Sequence, residues 1–206
     1  MLIVGGVWLV GITGWVLWSG YSQLREIRTF ADKGPKPVSP AQPTGEEIAG
    51  LRARVKEFGA AVGRKEKTAL RLTVVDLNVL LATEEAAKGL RESARVEEIG
   101  DAVRLQLSTA LNGVPFSGEL LYLNGVVEVS PTVEKDGGLK LRTVSISVPG
   151  RSVPDGFVRL CKERDYPGSL LLDPVRESSV PGVAETLKAI TNVRLEAGAA
   201  VLEYQP

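Results

Sequence analysis

The chain begins with a mainly hydrophobic run that no charged residue interrupts. No Asp, Glu, Lys or Arg precedes Arg25, and the run over residues 2–24 is long enough, at ~1.5 Å of rise per helical residue, to cross a ~30 Å hydrocarbon core. Trp18 and Tyr21 lie near its end, where amphipathic rings favour the lipid–water boundary. A cleaved secretory signal would show a basic start and a small-residue cleavage site, which this run lacks. We therefore predict a retained transmembrane anchor with its flank over residues 1–28.

Prolines dominate the next segment. Between Lys33 and Pro43 the chain reads KGPKPVSPAQP, which disfavours helix and favours an extended conformation that rises ~3.1 Å per residue. We predict a Pro-rich linker over residues 29–43 that acts as a spacer and holds the following domain roughly 30 Å from the bilayer.

A helical period follows the linker. Thr44 and Glu47 have the spacing of a capping box, and apolar residues then recur at steps of three and four. We predict an amphipathic helix within residues 44–66. Its apolar stripe packs either on the sheet of the domain or on another helix in an oligomer, and both alternatives stay open. The stripe consists of Ile48, Leu51, Val55, Phe58 and Val62.

A second capped helix is predicted within residues 72–81. Thr73 and Asp76 provide its N-terminal cap, and leucines and valines share one face. Asn78 is a poor helix former inside this apolar segment. We expect its side chain to form hydrogen bonds with a neighbouring strand or loop.

From Ala94 onward the period changes to two. Alternation over residues 103–108 and 119–134 predicts strands, and 139–148 returns as another strand after the turn residues 135–138, with a bulge near Arg142 and Thr143. Further helices are predicted at 155–163 and 183–190, and a terminal hairpin at 192–196 and 200–204. The prediction is an α+β soluble domain over residues 67–206, with helices packed on a curved antiparallel β-sheet.

Composition removes several functional classes. Lys plus Arg equals Asp plus Glu, 25 against 25, so no net field attracts nucleic acid. The chain has no histidine, which excludes triads and zinc sites built on it. The lone Cys161 is expected to be an inert thiol, and phosphate-binding fingerprints are absent. We predict no enzymatic activity, no cofactor and no metal.

Two elements carry a resemblance. The capped helix of residues 72–81 and the Tyr-x-Asn element at 122–124, behind one membrane helix, resemble bacterial single-pass membrane-anchored proteins of unknown function with a lipid-transfer-like curved antiparallel sheet. The resemblance implies an apolar ligand or a lipid acyl chain on the concave side of the sheet. The candidate lining residues are Leu121, Leu123, Val127, Val129, Leu141 and Ile146.

Together these features predict a membrane-tethered, non-enzymatic module that binds a lipid, another apolar ligand or an envelope protein partner. The alternative is a structural subunit that assembles, with itself or with another membrane protein, through the membrane helix and residues 44–62. The expected location is the bacterial cytoplasmic membrane, with residues 2–24 in the lipid bilayer and the domain outside the cytoplasm. The positive-inside tendency opposes that orientation, because the basic residues all follow the helix, at Arg25, Arg28, Lys33 and Lys36.

Overall fold

The computed structural model describes residues 24–111, 119–134, 138–166, 168, 170–172 and 183–206. The predicted anchor over residues 2–24 therefore lies outside the described residues, apart from Leu24. Within the described ranges, no helix is both long and apolar enough to cross a membrane.

Helices and strands alternate irregularly along the described chain. Residues 24–30 are helical (α1). The other elements are α2 (Gly45–Gly63), β1 (Thr68–Thr73), α3 (Val74–Thr83), a 3-10 helix (Glu85–Leu90), β2 (Ala94–Ile99), β3 (Val103–Ala110), β4 (Tyr122–Val133), β5 (Leu139–Ser147), α4 (Asp155–Glu163), α5 (Val183–Ala189), β6 (Asn192–Glu196) and β7 (Ala199–Tyr204).

The strands form two antiparallel sheets. One has the order β2-β3-β4-β5 and the other the order β1-β7-β6. The predicted α+β class with antiparallel pairing is confirmed, but the strands are divided between two sheets. Strand β1 was not predicted. Its six residues pair with β7 in the register Thr68 with Tyr204 through Thr73 with Ala199, so its partner lies at the other end of the chain.

Both predicted helix caps are confirmed. The Thr44 hydroxyl accepts from the Glu47 backbone N–H, and the Thr44 N–H donates to the Glu47 carboxylate at 2.7 Å. Thr73 and Asp76 repeat this arrangement at the start of α3. Helix α2 ends at Gly63, before the predicted limit of residue 66, because Lys65 adopts a left-handed conformation (φ 59°) that cannot continue a right-handed helix.

Asn78 binds the backbone of the edge strand β2. Its amide nitrogen donates to the Val96 carbonyl at 2.8 Å, and its amide oxygen accepts from the Val96 N–H at 2.9 Å. The side chain is buried, at 8% exposed. The prediction that Asn78 serves a neighbouring strand is confirmed, and the asparagine stands where a further strand would otherwise pair.

Replacement of Asn78 by alanine is expected to lower the free energy of unfolding by about 3 kcal/mol, because both backbone groups of Val96 would be left buried and unpaired. Chemical denaturation of the wild-type protein and of Asn78→Ala measures the difference. Val75→Ala is the matched control, since Val75 lies in the same helix and is 51% exposed. Equal midpoints for the two variants would show that the Asn78 bonds do not contribute.

The bulge predicted near Arg142 and Thr143 lies one residue further along. Glu128 pairs with Ser145 and Val129 with Thr143, so Val144 is the extra residue of β5. Val144 is 42% exposed, whereas Thr143 just before it and Ile146 two positions after it are buried. The bulge therefore reverses the alternation within β5 and lets both of its halves contribute buried side chains.

Two hydrophobic cores result. The first lies between the four-stranded sheet and helices α1 and α4. The second lies among α2, α3 and the three-stranded sheet, and it includes Leu51, Phe58, Leu70, Leu72, Val79, Ile190 and Leu202.

Candidate functional site

The predicted ligand-lining residues all belong to the first core. Leu123 and Val127 are 0% exposed, Leu141 is partly buried, and the remaining three are at most 7% exposed. Alternation in β4 and β5 does place these side chains on one face of the sheet, and that face is covered. In this conformation the six residues contribute to packing, and their role in lining a ligand site stays a prediction.

The chain itself covers this apolar face. Leu24, Ile27 and Phe30 of α1 are buried against it, together with Phe157 and Cys161 of α4. The rings of Phe30 and Phe157 lie 4.8 Å apart between centroids, in a tilted arrangement typical of aromatic pairs. A segment that the sequence assigned to the anchor flank and the linker thus completes the core of the domain.

The stripe of α2 is used mainly inside the domain. Leu51 and Phe58 are 2% and 3% exposed in the second core, and Ile48 and Val62 pack against that core. Val55 is 36% exposed. Most of the apolar surface of α2 is therefore already occupied by β1, α3 and α5.

After α1 the chain crosses to the other face of the four-stranded sheet. We call residues 30–39 the strap. Asp32 and Tyr122 form an antiparallel backbone pair, with N···O distances of 2.9 and 2.8 Å. This position is open because β5 pairs with β4 only from Val126 onward. The strap then passes β3 and reaches the start of β2, where the Val38 N–H donates to the Glu92 carbonyl at 3.3 Å.

These contacts correct the prediction of a free spacer over residues 29–43. Phe30 is 0% and Val38 3% exposed, and the backbone of Asp32, Lys36 and Val38 is bound to the sheet. Residues 35–43 form no helix, as predicted for a proline-rich segment, and the Lys36 N–H donates to Ser108 and Asn124 of the strands beneath it. Their extended conformation stays a prediction. Of the predicted linker, residues 40–43 lie between the strap and the Thr44 cap of α2.

Asn124 organises the crossing. Its amide nitrogen donates to the Asp32 carboxylate at 2.8 Å and to the Gly34 carbonyl at 2.9 Å. Its amide oxygen accepts from the Ser108 hydroxyl at 2.7 Å and from the Lys36 N–H at 3.0 Å. All the hydrogen-bonding capacity of this buried amide is used, which explains a polar residue in this position of β4.

Arg151 binds the beginning of the strap. Its guanidinium donates to the Phe30 and Ala31 carbonyls at 2.9 Å and also to the Asp32 carboxylate. The Lys36 ammonium lies 3.0 Å from the same carboxylate. We call the set Asp32, Lys36, Ser108, Asn124 and Arg151 the clasp.

The clasp keeps Asp32 ionised. The hydrogen bond from Asn124, together with those from Lys36 and Arg151, holds the pKa of the Asp32 carboxyl well below its ordinary value, although burial acts in the opposite direction. A group whose pKa is depressed by folding stabilises the folded state above its unfolded pKa, which is ~3.9 for Asp. That stabilisation is lost as the pH falls further, toward the depressed value.

We therefore expect the free energy of unfolding to decrease below about pH 4 in the wild-type protein, and less steeply in Asp32→Asn, which has no carboxylate to protonate. Urea unfolding between pH 7 and pH 3 measures both curves. Asp101→Asn, at an exposed carboxyl in the β2–β3 turn, should follow the wild-type curve. Parallel curves for wild type and Asp32→Asn would contradict the assignment.

The part of the sheet that the strap does not cross carries polar side chains. Arg104 lies 3.2 Å from the Glu97 carboxylate and 3.9 Å from that of Glu128, and the Ser145 hydroxyl donates to Glu128 at 2.7 Å. We call this surface the polar face. It consists of Glu97, Arg104, Gln106, Val126, Glu128, Ser145 and Ser147, all exposed or partly exposed.

Reactive groups are scarce in the described part of the chain. Cys161 is 4% exposed, and burial raises the pKa of its thiol to about 11, so the thiol stays protonated. No three His, Cys, Asp or Glu side chains among the described residues are grouped to hold a metal ion.

Fold and site together define a class. It is an α+β protein with two antiparallel sheets, in which α1 packs on one face of the larger sheet and the clasp binds the strap to the other face. Comparison with protein-family models, curated proteins and solved structures gives no match.

Sequence reasoning singled out Tyr122 and Asn124 but missed Asp32, Lys36 and Arg151. The signal available was the Tyr-x-Asn element itself, because an asparagine interrupting an alternating strand needs partners. The sequence does not identify those partners, since Asp32 lies 92 and Lys36 88 positions from Asn124.

Proposed function

We propose that the protein is a non-enzymatic module, tethered to the bacterial cytoplasmic membrane through residues 2–24, that presents its polar face to an envelope protein partner outside the cytoplasm. The observation that supports this proposal best is the clasp. The residues that directly follow the uncharged run are part of the domain. A membrane that binds that run would therefore also fix the position of the sheet.

A protein partner is favoured over an apolar ligand because of what each face offers. The apolar face is filled by α1 and α4, and a ligand would have to displace Phe30 and Phe157 to reach it. The polar face is exposed beyond the strap and carries charges of both signs, the Glu97 and Glu128 carboxylates and the Arg104 guanidinium. Complementary charges on a partner give specificity and orientation at such a surface.

The structural-subunit alternative has less support. Its predicted oligomer stripe packs within the domain, and Val55 is the one stripe residue that reaches 36% exposure. The stripe therefore offers little apolar surface to a second copy.

A photo-crosslinking residue at Gln106 in the full-length protein, in its native membrane, tests the proposal. We expect one discrete protein adduct at Gln106, and loss of that adduct when Arg104 is replaced by Glu. Arg52 is the matched control position, because it is exposed on α2 and lies outside the polar face.

Other outcomes would overturn the proposal. Lipid retained on the monomer in native mass spectrometry, without a Gln106 adduct, would favour the apolar ligand. A self-adduct from Val55 would favour the structural subunit. A topology reporter fused after Pro206 that reads as cytoplasmic would refute the proposed orientation.

A further inference from the structure

We propose that the domain rests directly on the bilayer surface in one orientation, with no flexible spacer, and that α1 and the adjoining residues Leu120 and Lys33 contact the phosphate-bearing headgroups. This inference rests on the proposed tether through residues 2–24. It extends that proposal by naming the surface of the domain that faces the lipid.

The first step concerns where folding of the domain begins. Leu24 is the last residue of the uncharged run, and it is 5% exposed in the core with Ile27 and Phe30. Phe30 lies six positions after Leu24 in the same helix, a rise of about 9 Å. Because Leu24 itself is buried in the domain, a bilayer span that ends just before it would bring the core of the domain to within one or two helical turns of the headgroups.

The second step concerns rigidity. The chain after α1 is fixed at Asp32 by a backbone pair to Tyr122 and by the Arg151 guanidinium, and at Lys36 by Asn124. These contacts reach β4 itself and, through Arg151, the segment that follows β5. The domain cannot swing about residues 30–38 without breaking this network, in which Ser108 and Asn124 are buried and the Asn124 amide uses all of its hydrogen-bonding groups.

The third step concerns the chemistry of the surface beside α1. Arg25, Arg28 and Lys33 are exposed there, and the Glu119 carboxylate lies 3.8 Å from both Arg28 and Lys33. The next residue, Leu120, is 52% exposed. Lys and Arg side chains are attracted to an anionic membrane surface, although Glu119 offsets part of that attraction. An exposed leucine next to Glu119 suits the interfacial region.

The test uses full-length protein in nanodiscs of phosphatidylcholine and phosphatidylglycerol, with a headgroup-attached nitroxide quencher on a fraction of the lipids. Single fluorophores are placed at Leu120→Cys or, as the matched control, at Arg52→Cys, in a Cys161→Ala background. We expect quenching at position 120 and its absence at position 52.

A second variant keeps the fold and removes only the proximity. Ten Gly-Ser residues inserted between Gln23 and Leu24 leave α1 and the clasp intact, and such a linker adds a root-mean-square reach of roughly 17 Å. We expect quenching at position 120 to be lost in this variant, with an unchanged unfolding midpoint.

The results separate the two proposals. Release of the full-length protein by alkaline carbonate would refute the tether, and with it this inference. Retention in carbonate with equal quenching at positions 120 and 52, or with quenching at 120 that survives the insertion, would leave the tether standing and overturn direct docking on the bilayer.

Discussion

A fragment that begins at Thr44 is expected to fail to fold cooperatively, whereas a fragment that begins at Leu24 folds. The shorter fragment lacks four large buried side chains, those of Leu24, Ile27, Phe30 and Val38. Burial of each contributes about 1.5–3 kcal/mol, so the loss is on the order of 8 kcal/mol. That equals much of the 5–15 kcal/mol by which a typical domain is stable.

The polar consequences add to this loss. Without the strap, the buried side chains of Asn124 and Ser108 lose hydrogen-bond partners and become open to water. Arg151 loses three hydrogen-bond acceptors. Water can restore some of these bonds once the surface opens, so the apolar term remains the larger one. Far-ultraviolet circular dichroism during urea titration compares the two fragments. A cooperative transition at the same midpoint in both would show that residues 24–43 are dispensable for folding. It would support the original prediction that residues 29–43 are a free spacer.

Phe30→Ala is expected to lower the free energy of unfolding by about 4 kcal/mol in the fragment of residues 24–206. The Phe30 ring is 0% exposed and packs on Phe157 at 4.8 Å, so truncation removes both its burial and an aromatic pair and leaves a cavity beneath α1. Urea denaturation gives the value directly.

Arg25→Ala provides the control for this substitution. Arg25 lies in the same helix and is exposed, so its loss should change stability by no more than about 0.5 kcal/mol. Phe30→Leu should fall between the two, because it retains an apolar side chain but not the ring. If Phe30→Ala and Arg25→Ala have the same free energy of unfolding, α1 does not pack on the sheet in solution. The proposed direct docking on the bilayer would then be refuted as well.

The two asparagines show how far reasoning from the sequence reached. Asn78 stands out as a poor helix former in an apolar helix, and its expected bonds to a strand are the ones observed with Val96. Asn124 lies in a recognisable Tyr-x-Asn element, yet its partners were not predicted. The difference is one of distance along the chain: Asn78 lies 18 positions from Val96, whereas Asn124 lies 92 positions from Asp32.

The apolar faces of the strands show where prediction of function from the sequence ends. Alternation in β4 and β5 establishes that Leu123, Val127 and Ile146 share a side of the sheet, but not what covers that side. A lipid, a partner or the chain's own helix gives the same pattern of leucines and valines. The structure places Leu24, Ile27 and Phe30 of the chain itself there.

By itself, the sequence determined the features that depend on neighbours a few residues apart: both helix caps, the alternation of the strands, the terminal hairpin and the α+β class. These follow from backbone geometry and hydrogen bonds within about one turn or one strand. Only the tertiary structure decided the pairing of β1 with β7, the binding of the strap and the covering of the apolar face. Each of these joins residues about a hundred positions apart. The free energy that favours one such contact over its competitors comes from burial and complete hydrogen bonding in the assembled core. No local sequence pattern contains that information.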